Sequence, residues 1–182
     1  MVTVAVVTLA VTLFALARGG SLEVVANTRF RAGWVLFTGL AAQIALAVWR
    51  PAWLSDDAEL AVLLGSNALV ASFLVANRRL PGMALAGIGL ALNVAVIGAN
   101  GAMPVDRAAV SGVGISMEGA GPKHEPLDDD TALPWLADVI PVTPTREILS
   151  VGDVFLAVGI ARLVYARAMW RRHARHRAEP TG

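Results

Sequence analysis

Two runs decide how this chain is read: NVAVIGANGAMPV from Asn93 to Val105, and ILSVGDVFLAVGIARLVYA from Ile148 to Ala166. The first is an apolar stretch that stops at Asn100-Gly101, residues that tolerate the conformation closing a helix, and Pro104 prevents its continuation. The second opens with a helix-capping serine and becomes apolar at once. Between them lies the one long polar segment, which holds most of the acidic residues and the only histidine outside the C-terminal tail, His124. The rest of the chain is apolar runs and short turns, so the polar segment reads as a loop displayed by helices.

Composition sets the solvent. Hydrophobic residues make up 56% of the 182 residues and charged residues 16%, with a mean hydropathy of +0.62. A soluble domain carries about 25% charged residues, so lipid is the expected surroundings for much of this chain. There are no cysteines, which excludes disulfides, thiolate metal sites and cysteine nucleophiles.

The fold expected is all-α: a polytopic transmembrane helix bundle of about five spans. The apolar runs place them at about 2–17, 34–49, 60–76, 83–99 and 149–170, in a single domain. An extracytoplasmic loop covers about 100–148 and a basic cytoplasmic tail 171–182. The first run has a competing reading as a signal peptide, since Ala15-Leu16-Ala17 resembles a cleavage site. No Lys or Arg precedes it, which favours a retained span.

Orientation follows from the basic residues. Arg18, Arg29, Arg31, Arg78, Arg79 and the tail arginines fall in one set of connectors, and nearly all the acids fall in the other. A bacterial cell membrane protein with its N-terminus outside and its C-terminus cytoplasmic puts every basic cluster inside. Cleavage of the first run would invert this, a second argument for retaining it.

Gly87, Ala91, Ala95 and Ala99 recur at four-residue spacing on one face of the fourth run, and small residues allow close helix approach in lipid. This stripe is the expected packing surface, with Ala157 and Ala161 as its match. Gln43, Asn67 and Asn93 are polar residues inside spans and are expected to hydrogen-bond between helices. Arg162 is close enough to the cytoplasmic arginines to snorkel toward them.

In the loop, Arg107 to Lys123 is expected to be irregular. Gly112-Val113-Gly114 begins like a dinucleotide fingerprint, but Met117 replaces the third glycine and no strand precedes it, which excludes that site. His124 and Asp138 are weak metal candidates, but the spacing matches no metal motif, and adjacent aspartates such as Asp128-Asp129-Asp130 are ordinarily solvated. No metal or cofactor is expected. The segment Leu133 to Pro141 is too short to span and is expected to lie on the membrane surface or fold over the helix ends. Asp138 within it reads as a site carboxylate or as a cap or solvated group. Asp153 completes a capping box with Ser150 and is also an ionisable group at a membrane edge, so both readings stand.

The set Asn100-Gly-Ala-Met-Pro104, His124, Leu136-Ala-Asp138-Val-Ile-Pro141 and Ser150-Val-Gly-Asp153-Val-Phe-Leu-Ala-Val-Gly159, with the Arg18-Gly-Gly20 turn, resembles domain-of-unknown-function family 5317 of bacterial membrane proteins. The resemblance implies that Asn100, Pro104, His124, Asp138, Gly152 and Asp153 belong to one feature. It implies no activity, substrate or cofactor.

The function expected from these residues is non-enzymatic: an outer-face cap that binds a small ligand, a lipid head group or a protein partner. The alternative is an enzyme acting on a lipid-linked or periplasmic substrate, with His124 as base and Asp138 and Asp153 orienting it or holding a metal. A small transporter is a further alternative, for which no internal repeat speaks. The expected partners are the bilayer and a membrane or extracytoplasmic protein. Nucleic-acid binding is not expected, because membrane orientation accounts for the basic tail.

Overall fold

The structure, a computed structural model, describes residues 2–49, 53–116 and 124–170. Met117, Lys123 and the basic tail lie outside the described residues, as does the side chain of His124.

The protein is mostly helical. In chain order the helices are α1 (Val2–Ala17), α2 (Leu22–Ala26), α3 (Gly33–Val48), α4 (Asp56–Ala76), α5 (Met83–Asn100), α6 (Arg107–Gly112) and α7 (Val151–Ala168). Two of them, α4 and α5, are long and apolar enough to cross a membrane. Helices α1 and α3 are apolar but shorter. Helix α7 is as long as α5 but carries Asp153, Arg162 and Arg167.

Local chemistry sets the helix ends. The Ser55 hydroxyl accepts from Ala58 N at 3.3 Å, and Asp56, Asp57 and Glu59 crowd the first turn of α4, where the helix dipole favours negative charge. The helix therefore starts four residues before the expected span at 60. Helix α5 lies between Gly82 and Gly101, both left-handed at φ +83° and +82°. A glycine adopts that conformation without Cβ strain.

The five longer helices run up and down in an arc. Ser21 N donates to Ala168 O at 2.9 Å, which brings the ends of α1 and α7 together. Arg31 N donates to the Asn77 side chain at 2.8 Å, joining the start of α3 to the end of α4. Helix α1 packs on α7, α7 on α5, α5 on α4 and α4 on α3. Arg18, Arg29, Arg31, Arg78 and Arg79 thus share one end of the bundle, and the segment between α5 and α7 covers the other.

That covering segment corrects the all-α expectation. It contains β1 (Met103–Val105), β2 (His124–Pro126), β3 (Ile140–Val142) and β4 (Glu147–Leu149). Strands β1 and β2 pair in parallel with Met103 opposite His124; β3 and β4 pair antiparallel with Ile140 opposite Leu149. Pro104, Pro126 and Pro141 sit in these strands, where the fixed proline φ suits extended backbone, and pairing satisfies backbone groups that burial removes from water. Residues 107–112, expected to be irregular, form α6, capped by Asp106, which accepts from Ala108 N at 2.9 Å. Leu149 belongs to β4, so α7 begins at Val151 rather than at 149. Of the two positions expected for Leu133 to Pro141, the segment folds over the helix ends: Leu136 is buried against Val96 and Met103.

Candidate functional site

Helices α5 and α7 cross at backbone contact. A Cβ on Gly159 would sit 2.6 Å from Ala86 N and 2.7 Å from Gly82 O, closer than real Cβ atoms come. Gly89 and Gly152 meet in the same way one and two turns nearer the cap. The seam on α5 therefore runs along Gly82, Ala86, Gly89 and Asn93. It does not use the stripe singled out from the sequence. Ala91, Ala95 and Ala99 are exposed, and Gly87 turns toward Leu74 of α4. Four-residue spacing found small residues on one face, but two faces of α5 carry them, and only the partner helix distinguishes the two. Ala157 is buried and Ala161 half-buried on α7.

Close approach brings Asn93 onto the start of α7. Its amide donates to Asp153 Oδ1 at 2.8 Å, and its carbonyl accepts from the Ser150 hydroxyl at 2.8 Å. Ser150 in turn accepts from Asp153 N at 3.0 Å, while Asp153 Oδ2 accepts from Ser150 N at 3.2 Å. The expected capping box is present, and Asn93 extends it across the helix interface. Gly152 is packed directly beneath the Asn93 amide, where no side chain fits.

The arc of helices lines a half-open cavity of about 650 Å³. Its walls are apolar, from Leu36 and Leu40 of α3, Leu63 and Val70 of α4, Leu90 of α5 and Leu156 of α7. Phe30 and Phe73, with ring centroids 5.7 Å apart, lie at the arginine end of the lining. Among the described residues, the polar members of the lining are Gln43, Asn67, Asn93 and Asp153. Gln43 donates to Asn67 at 3.4 Å across α3 and α4, so the interhelical bonds expected of the span amides are made. The sequence signal for these residues was present, since each is a polar residue in an apolar run. Their convergence on one space was not legible, because four different helices supply them.

The other residues in the expected feature lie in the cap. Asn100 donates to Ala132 O at 2.9 Å and accepts from Ala132 N at 2.8 Å, clamping the loop to the end of α5. Pro104 is buried in β1, and its carbonyl accepts from Asp138 N at 2.9 Å. Asp138 is 4% exposed, and its carbonyl accepts from Asp106 N at 3.0 Å. His124 joins this layer through its backbone pairing with Met103. Of the five whose side chains are described, Asp153 lines the cavity; Gly152 touches the same node, and Asn100, Pro104 and Asp138 organise the cap. Among the described residues no three His, Asp or Glu side chains form a group able to hold a metal.

A further contact went unforeseen. Glu147 accepts from Val2 N and Thr3 N, each at 2.6 Å, and so caps α1 from the loop. Thr3 and Thr145 hydroxyls also meet at 2.6 Å. Burial pushes the Glu147 carboxyl up, but hydrogen bonds at the amino terminus and from Thr3 and Val2 outweigh it and hold the group down at about 2.

No curated protein and no solved structure matches the chain. Residues 27–165, from just before α3 almost to the end of α7, match the description "Family of unknown function (DUF5317)". The match takes in the cavity walls apart from Val4, the Asn93–Ser150–Asp153 node and the whole cap, and the chain belongs to that family.

Proposed function

We propose that this chain is an integral membrane protein that binds an amphipathic, lipid-like molecule in the cleft between its helices, without carrying out a reaction on it. One observation carries the reading: the polar residues of four apolar helices, Gln43, Asn67, Asn93 and Asp153, line a single apolar cavity of about 650 Å³. Small-molecule sites span about 300–1,000 Å³ and are mostly apolar with a few polar groups that orient the ligand. The site thus moves from the cap itself to the space beneath it, and the cap becomes its lid.

In this reading all five longer helices cross a bacterial cell membrane. The cap faces outward and the arginine-bearing end faces the cytoplasm, in line with the bias of basic residues toward that side. The exposed face of α3, with Trp34, Phe37, Ile44 and Val48, supports it, since so continuous an apolar surface suits lipid better than water. The enzymatic alternative needs His124, Asp138 and Asp153 at one point. Asp153 lies in the cavity wall and Asp138 in the cap, which favours binding over chemistry.

The test is to purify the protein in mild detergent and weigh it intact with any bound lipid by native mass spectrometry. Wild type is expected to retain a lipid that Leu36→Trp, which puts a bulkier ring into the cavity, loses while keeping its helical circular dichroism. An unliganded wild type, or identical adducts on both proteins, would refute the proposal.

A further inference from the structure

The lining has a chemical polarity that narrows the occupant, and the argument rests on the cavity-binding reading above. Among the described residues that line the cavity there is no Lys, Arg or His; the polar members are three amides and one carboxylate. Three of them lie in the half of the bundle nearer the cap, and Asn67, at the middle of α4, is bonded to Gln43. Gln43 is on the last turns of α3, Asn93 two turns below the end of α5, and Asp153 in the first turn of α7. The other half, bounded by Phe30, Phe73, Met83 and Leu163, is apolar throughout. An occupant would therefore lie with its polar end toward the cap and a hydrocarbon chain toward the cytoplasmic half.

The head group must match that polar end. A phosphate entering it would meet no cation among the described lining residues, and it would face the Asp153 carboxylate. Burying a charge without a partner costs several kcal/mol, and like charges add to that cost. A trimethylammonium head would find one carboxylate, but it carries no N–H or O–H and so makes no hydrogen bond to Asp153 or to the three amides, while each Asp153 oxygen already has one N–H donor, from Asn93 or Ser150. A hydroxyl is better matched. A carboxylate offers about four lone-pair sites, so Asp153 retains acceptor capacity after those two bonds, and amides can both donate to and accept from a hydroxyl. The route in is lateral. Helices α1 and α3 are the two ends of the arc, packing on α7 and α4 respectively, and both contribute to the cavity wall through Val4 and through Leu36, Phe37 and Leu40. A lipid in the bilayer can reach such a space without crossing the cap.

We infer that the cavity takes an uncharged long-chain lipid bearing a hydroxyl head, of the diacylglycerol class, and discriminates against lipids of the same chain length that carry a phosphate. The experiment places the full chain in nanodiscs containing equal mole fractions of dioleoylglycerol, dioleoylphosphatidic acid and a dioleoyl trimethylammonium lipid, and reads the bound species by native mass spectrometry. Dioleoylglycerol is expected to exceed each charged lipid by at least about tenfold, the ratio for 1.4 kcal/mol. Asp153→Asn should reduce the preference over phosphatidic acid, and Gln43→Glu, which leaves the α7 cap intact, should increase it. Equal or greater binding of phosphatidic acid or of the cationic lipid would overturn the assignment of class while leaving a lipid site in place. Binding of none of the three above the level of the Leu36→Trp variant would instead overturn the cavity-binding reading beneath it.

Discussion

Asn93 of α5 donates to Asp153 of α7 across 2.8 Å, and this bond joins a helix pair in backbone contact to the only carboxylate among the described residues of the cavity wall. The same amide accepts from Ser150, so one side chain reads both members of the capping box. Helix start, helix crossing and cavity chemistry therefore share a single residue.

Replacing Asn93 by Leu should destabilise the bundle by about 1–3 kcal/mol, because the Ser150 hydroxyl and one Asp153 oxygen lose their partner. Thermal unfolding in detergent measures the loss. Combining the change with Ser150→Ala should cost less than the sum of the two, since the pair then has fewer unmet groups.

The two small-residue faces of α5 make opposite predictions. Gly159→Leu should force α5 and α7 apart at a cost of about 1–3 kcal/mol or more, whereas Ala91→Leu, on the exposed face, should stay within about 0.5 kcal/mol. Protein yield and melting temperature of the two variants, measured side by side, distinguish the seam at Gly82, Ala86 and Gly89 from the Ala91, Ala95 and Ala99 stripe.

Glu147 should give the protein an acid-sensitive edge. Its folded value is about 2, below the ordinary 4.5, so its contribution is full above about 4.5 and is lost as pH falls from there toward 2. Much of the group meets solvent, so screening keeps the contribution near that of an exposed pair, about 1 kcal/mol or less. Glu147→Gln should flatten the fall in melting temperature between pH 5 and 3, with little change in the far-ultraviolet spectrum.

Asn100→Ala should free the cap without unfolding the helices. Two bonds to Ala132 are lost, each contributing about 1 kcal/mol, and the exposed Asp128 to Asp130 turn lies beside them. Limited proteolysis should cut the variant near that turn faster than wild type, with the helical signal unchanged.

The absence of cysteine makes the orientation directly measurable. A membrane-impermeant maleimide applied to intact cells should label Asp129→Cys and spare Arg79→Cys until the membrane is opened. Labelling of the second alone would invert the proposed topology.

Much of this was legible in the residues themselves. Apolar runs, the Ser150–Asp153 cap, the Asn100-Gly101 stop and the segregation of arginine are local chemistry, and a helix needs only its own neighbours to express them. Family membership was also written there, in motifs that stay together along the chain. The tertiary structure decided the rest. Which face of α5 is the seam depends on where Gly152 and Gly159 fall on a helix some seventy residues away, about 3.6 residues to the turn. Whether four isolated polar residues are scattered or convergent depends on the order of helices around the arc. Periodicity along one helix specifies a face but not its partner, so the cavity, its polar end and the lid above it exist only once the helices have packed.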